Sequence, residues 1–229
     1  MTGQQLREAR KQKRWTQDRA AGRLKVSQPY LSLLENGGRH LTPRLAARVV
    51  RVFGLSPAAL PHEAVTGSYP GTPQQVAEAL SMLGYPGFAY LPSRRHCNPA
   101  DVVLGALSGD NLEARLVEAL PWVFLNSPDL DWNWLVNQAR LHNLQNRLGF
   151  LVSLARAKLE EAREVQSPRY RILLRAEQEL EQSRLVREDA FSEALTPRER
   201  EWLREHRSEP AAHWNVLSNL SPEHLPYAA

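Results

Sequence analysis

Cysteine is nearly absent: Cys97 is the single one in 229 residues, so no disulfide can close within the chain and its stability has to come from packed cores. That usage fits a reducing compartment, and the chain is expected in the cytoplasm. Arg94, Arg95 and His96 stand beside Cys97 and would favour the thiolate in a redox sensor, although a lone cysteine reads more simply as a packing residue. Long apolar runs are missing as well. Nothing approaches the roughly 20 residues that span a bilayer, and the N-terminus opens on a polar, capped helix pattern instead of a secretory leader. Catalytic signatures are also lacking. The seven histidines make no HxxxH pair, and there is no CxxC, no phosphate-cradling glycine loop and no GxSxG turn. Asp129 and Asp131 form a DxD, but Asp131 stands directly before a helical pattern and reads as its cap. The expectation is therefore a chain with no catalytic residue, no metal, no cofactor and no membrane partner.

What is present is strongly uneven in charge. Met1 to Leu60 holds 12 Lys and Arg against Glu8, Asp18 and Glu35, a net of +9. The remainder has 17 basic and 22 acidic residues, a net of −5, and the two parts give the overall +4. A polyanionic partner is thus expected at one end only. The hydrophobic fraction of 42% suffices for a small domain and a larger one.

The segment from Thr16 to Gly37, TQDRAAGRLKVSQPYLSLLENG, writes two short helices and a tight turn. Thr16 is placed to cap a helix that turns Ala20, Ala21 and Leu24 inward, and the small residues admit a close neighbour. Lys25-Val26-Ser27 breaks the pattern. Ser27 then caps a second helix whose Pro29 needs no donor. Leu31 and Leu34 face a core, whereas Gln28, Pro29 and Ser32 face away, short enough and polar enough to reach base edges.

With residues 3–15 and 42–60 added, this segment resembles the five-helix domain of phage Cro and CI repressors and of regulators of the xenobiotic-response-element (XRE) type. The likeness rests on GQQLREARKQKRWTQ, Ala21, VSQPYLSLLENG and TPRLAARVVRVFGLSP, in the family's order and spacing, and covers about a quarter of the chain. Three departures stand out: Ala20 for a larger aliphatic, Lys25 for glycine, and Leu33 for a polar or basic residue. The resemblance implies double-stranded DNA as partner. It implies that Gln17 meets a phosphate, that Gln28 reads an adenine, that Ser27, Tyr30 and Ser32 lie near bases or phosphates, and that Asn36, Arg39 and Arg10 contact the DNA backbone.

Beyond residue 61 the sequence predicts a linker over 62–71, HEAVTGSYPG, and a helical body over 72–229. Helices are expected from Thr72-Pro73 to Leu83, from Asn98-Pro99 to Leu107, after Asn111, after Asp131, from about Pro168 to Phe191, and after Thr196-Pro197. Leu141, Leu144, Leu148, Leu151, Ala155 and Leu159 suggest one long apolar helical face, and only Phe88 to Leu91 reads as extended. Trp122, Trp132 and Trp134 suit a core junction or a docking surface. The amide-rich NQARLHNLQNRLG is open to a ligand role or to interhelical hydrogen bonding. The stripe of Leu173, Ala176 and Leu180 suits pairing with a second copy or packing on the body. The fold class is thus all-α: a five-helix, lambda-repressor-like DNA-binding domain over 1–61 and a larger helical domain. Loosely, the body looks like those of bacterial regulators and antitoxins. The function that follows is a homodimeric, sequence-specific repressor whose body receives a small-molecule effector or a protein toxin, in its most specific form an autoregulating antitoxin. The alternative is a protein-binding antitoxin or defence component that masks a toxin and binds DNA secondarily.

Overall fold

A computed structural model describes residues 1–62, 70–92 and 96–227. Among them are twelve α-helices and no strand. The chain divides into two compact units, Met1–His62 and Glu63–Ala229. Most of the expected 62–71 linker lies outside the described residues.

In the first unit, side-chain caps set where each helix begins. Thr2, Thr16, Ser27 and Thr42 accept from backbone amides at the starts of α1 (Gly3–Gln12), α2 (Gln17–Leu24), α3 (Gln28–Glu35) and α4 (Pro43–Phe53), satisfying donors that have no partner inside the helix. Gly54, in the left-handed region, ends α4. The fifth expected helix is a single 3-10 turn, Pro57–Ala59. Leu6, Ala20, Ala21, Leu24, Leu31, Leu34, Val49 and Phe53 form the core. Each fully buried leucine contributes about 1.5–3 kcal/mol. Ala20 is fully buried and belongs to this core despite its small side chain. Lys25 takes the left-handed conformation between α2 and α3, with φ 53°, which explains the family's glycine there.

The second unit contains α5 (Pro73–Leu83), α6 (Pro99–Leu107), α7 (Ala114–Asn126), α8 (Trp132–Leu141), α9 (Gln145–Glu161), α10 (Pro168–Glu181), α11 (Pro197–Glu205) and α12 (Glu209–His213). Every residue of α6 is buried. The first half of α9 is buried on all sides, from Leu148 to Ala155, and α7, α8, α10 and α12 all pack on it. An apolar helix without a polar face belongs in a core, and α9 is the axis of this one. Trp214 lies across it, fully buried.

Several sequence expectations are corrected here. The apolar run from Leu141 to Leu159 is not one face: α8 stops at Leu141, Asn143 adopts φ 57°, and Leu141 is 72% exposed. Asn111 does not cap α7. Glu113 holds the N-cap position, and the Asn111 carboxamide oxygen instead accepts from Ser192 Oγ and Ala194 N. Pro86–Phe88 is a 3-10 turn, not an extended run. The helix expected to reach Phe191 ends at Glu181, because the chain then returns across α8 and α9. The amide-rich block holds that return: Asn146 pairs with both backbone groups of Leu185 at 2.9 and 2.8 Å, Gln145 donates to Ser183 O at 2.9 Å, and Arg147 bridges Asp189 and Leu107 O. Its polar groups serve interhelical hydrogen bonds. The Leu173, Ala176 and Leu180 stripe is buried on the body's own core, so it does not offer a face to a second copy. Trp122, Trp132 and Trp134 pack half-buried against that core, with Trp132 5.2 Å from Phe124.

Candidate nucleic-acid interface

Three helices of the first unit meet around a buried carboxylate. Glu35, at the end of α3, is 5% exposed, and its place four residues after Leu31 puts it on the core-facing side. A charge removed from water needs partners. Arg10 of α1 supplies a two-pronged contact, Nε to Oε1 at 2.6 Å and a terminal nitrogen to Oε2 at 2.9 Å. Gln17 of α2 donates to Oε2 at 3.0 Å. Gly3 makes the approach of α1 possible, since a Cβ there would fall 2.1 Å from Leu34 O. Burial pushes the Glu35 carboxyl up, but the hydrogen bonds from Arg10 and Gln17 and the charges of Arg10 and Arg7 outweigh it, and the group stays ionised below its usual range.

This carboxylate fixes the direction of everything outward of it. An ionised carboxylate only accepts, so Gln17 must turn its amide nitrogen inward. Its Oε1 then points away from Glu35 and accepts from Gln28 Nε2 at 2.6 Å. Gln28 consequently keeps its own Oε1 and one N–H for an external group. That is the acceptor–donor pair that matches adenine N6 and N7 in a major groove. Gln17 keeps one N–H at the N-terminus of α2, where amides and the helix dipole favour a phosphate.

The other expected contact residues fall in two groups. Ser27, Asn36 and Arg39 are exposed, and Ser32 is half-exposed. Asn36 Nδ2 donates to Ser32 Oγ at 3.4 Å, while Ser27 Oγ caps α3. Tyr30 packs its half-buried ring against the core of the unit. Arg10 requires a correction. Its side chain is 12% exposed and its guanidinium is engaged by Glu35 and by Trp15 O at 2.9 Å, so its charge is neutralised inside the domain and it is not presented to a DNA backbone. Sequence reasoning also passed over Glu35, counting it only as one of three acids. The signal was there: a carboxylate sharing the face of Leu31 and Leu34.

A capped helix pair with a left-handed turn, set across α1 and α4 with α3 facing out, decides the architecture, and residues 3–62 match the family model for a helix-turn-helix domain. The first unit is a helix-turn-helix domain of the Cro/CI type. The match takes in roughly a quarter of the 229 residues. No curated protein and no solved structure matched the chain. In helix-turn-helix domains the second helix of the motif is the one that enters the groove, and α3 holds that place in the order of this unit.

The second unit holds no group of three His, Cys, Asp or Glu placed for a metal among the described residues, and no helix there is long and apolar enough to cross a membrane. Asp131 caps α8 through Trp134 N at 3.0 Å. Cys97 is buried in the core; the flanking Arg94 and Arg95 lie outside the described residues. A cavity of about 400 Å³ opens between the start of α7, α11 and the 217–224 segment, walled by Val117, Phe191, Leu203 and Leu220 with Glu118 and His224 at its polar side.

Proposed function

We propose that the chain is a homodimeric, sequence-specific transcriptional repressor. The observation that carries this reading is the relay Arg10–Glu35–Gln17–Gln28, which orients one glutamine for a phosphate and the next for a base on a unit with net charge +9. A single domain of this kind covers one half-site, so two copies on a two-fold operator, with half-sites about 10 base pairs apart or a multiple, supply the affinity. The second unit supplies the dimer contact and receives the signal. Its cavity is of a size that holds a small effector, and in the more specific version of the proposal a protein toxin is bound there and the chain represses its own operon. The reading assigns the chain no reaction of its own.

The test is to footprint the full-length protein on the promoter of its own operon and on neighbouring promoters, and to follow a reporter with and without it. Protection of a two-fold site and a fall in reporter output support the proposal. Activation from the same site removes the repressor assignment. No footprint at all, together with stable binding of the neighbouring gene's product, favours the alternative in which the body masks a toxin.

A further inference from the structure

The outer face of α3 is not uniformly polar. Pro29 and Leu33 lie four residues apart, hence next to each other on one face, and both are exposed, Leu33 by 49%. On one side of this stripe run Gln28, Ser32 and Asn36. On the other, Leu33 leans toward Gly38, where an added Cβ would come within 3.4 Å of its Cδ2. Leu33 therefore leaves about half of its apolar surface open to solvent, on the helix that also carries the proposed base-reading glutamine. It stands where the family has a polar or basic side chain.

We propose that the Pro29–Leu33 stripe reads the C5 methyl of thymine. The inference rests on the DNA-binding reading above and adds a chemical identity to it. The major groove exposes donors and acceptors from every base, but its apolar feature is that methyl group. The stripe is continuous with Gln28 and Ser32, and the unit's charge of +9 directs it to a polyanion. A duplex is therefore the occupant, and each half-site contains a thymine whose methyl is covered by Leu33 in addition to the base pair read by Gln28.

The experiment begins with selection of preferred duplexes from a random pool by the full-length protein. Each selected thymine is then replaced, one at a time, by deoxyuridine, which lacks only the methyl. One or two thymines per half-site should lose about 3- to 10-fold in affinity on replacement, the scale of one buried methyl. That loss should vanish in Leu33→Ala and in Leu33→Gln, both at an exposed position, and persist in Gln28→Ala. Deoxyuridine replacements that leave affinity unchanged throughout, or a loss equally large in both Leu33 variants, overturn the proposal while leaving sequence-specific binding intact. A pool that shows no sequence preference overturns the DNA-reading assignment and this inference with it.

Discussion

At the scale of the residue, Gln28 and Glu35 have separable effects. Gln28→Ala removes the proposed base contact and leaves the carboxylate paired by Arg10 and Gln17, so operator binding should weaken by about 1–3 kcal/mol with relaxed preference at one base pair per half-site. Titration against specific and scrambled duplexes checks this; equal losses on both would transfer sequence reading to other residues. Glu35→Gln instead strands the Arg10 guanidinium, 12% exposed, without its counter-charge. Breaking such a pair costs about 3–5 kcal/mol, which thermal melting of the domain will show. The acid response follows with a definite sign. Because the Glu35 carboxyl sits below its ordinary value of 4.5 in the folded unit, its contribution is fully present above that value and is lost as pH falls through the lower, folded one. Melts of wild type should therefore decline in acid below about pH 4.5, and the gap between wild type and Glu35→Gln should narrow there. Arg10→Ala should destabilise the domain in the same manner. It should not flatten the dependence of log affinity on log salt, as loss of a phosphate contact would.

The elements of the two units are specified in different ways. In the helix-turn-helix domain every helix start is written locally, by Thr2, Thr16, Ser27 and Thr42, and the apolar positions follow one helical period. In the body, α9 is apolar all round over its buried half and its periodicity carries no direction. There a single glycine decides the geometry: a Cβ on Gly149 would lie 2.4 Å from the fully buried Trp214 ring, so α9 and the indole meet only because that position is bare. Gly149→Ala should cost about 1–3 kcal/mol or more, since a packed core resists added volume, seen as a lower melting temperature of the full-length protein. An unchanged melt would mean that Trp214 yields without cost. The indole N–H of Trp214 has no hydrogen-bond partner among the described residues, so Trp214→Phe should be far milder than Trp214→Ala, for which about 3–5 kcal/mol is expected.

For the whole molecule, the proposed dimer raises the question of what would join two reading heads. The α10 stripe is consumed inside its own unit, which leaves exposed apolar side chains such as Leu141, Val186 and Trp202 as the body's material for self-association. A fragment of residues 1–62 retains its own core and should bind a two-fold operator at least about 100-fold more weakly than the full chain, because linking two sites raises effective concentration without any new contact. Sedimentation of both proteins at micromolar concentration, alongside binding titrations, settles the matter. A monomeric full-length protein that binds a single half-site as tightly as the palindrome is incompatible with the dimer.

The sequence by itself determined the first unit almost completely. Caps, the Ser27-Gln28-Pro29 start and the alternation of buried leucines with exposed polar residues are short-range features, each decided within one helical turn. It also placed α5, α6, α8 and α11, whose starts are written by Thr72, Asn98, Asp131 and Thr196. Only the tertiary structure decided the rest. Glu35 becomes central, and Arg10 is turned inward, because α1, α2 and α3 converge from positions 25 residues apart. Asn111, Asn146 and Arg147 find partners about 40 to 80 residues away in the chain's return across α8 and α9. Such long-range hydrogen bonds leave no periodicity to read, since the residue type announces a polar group that needs a partner and only the packing of the helices says which one.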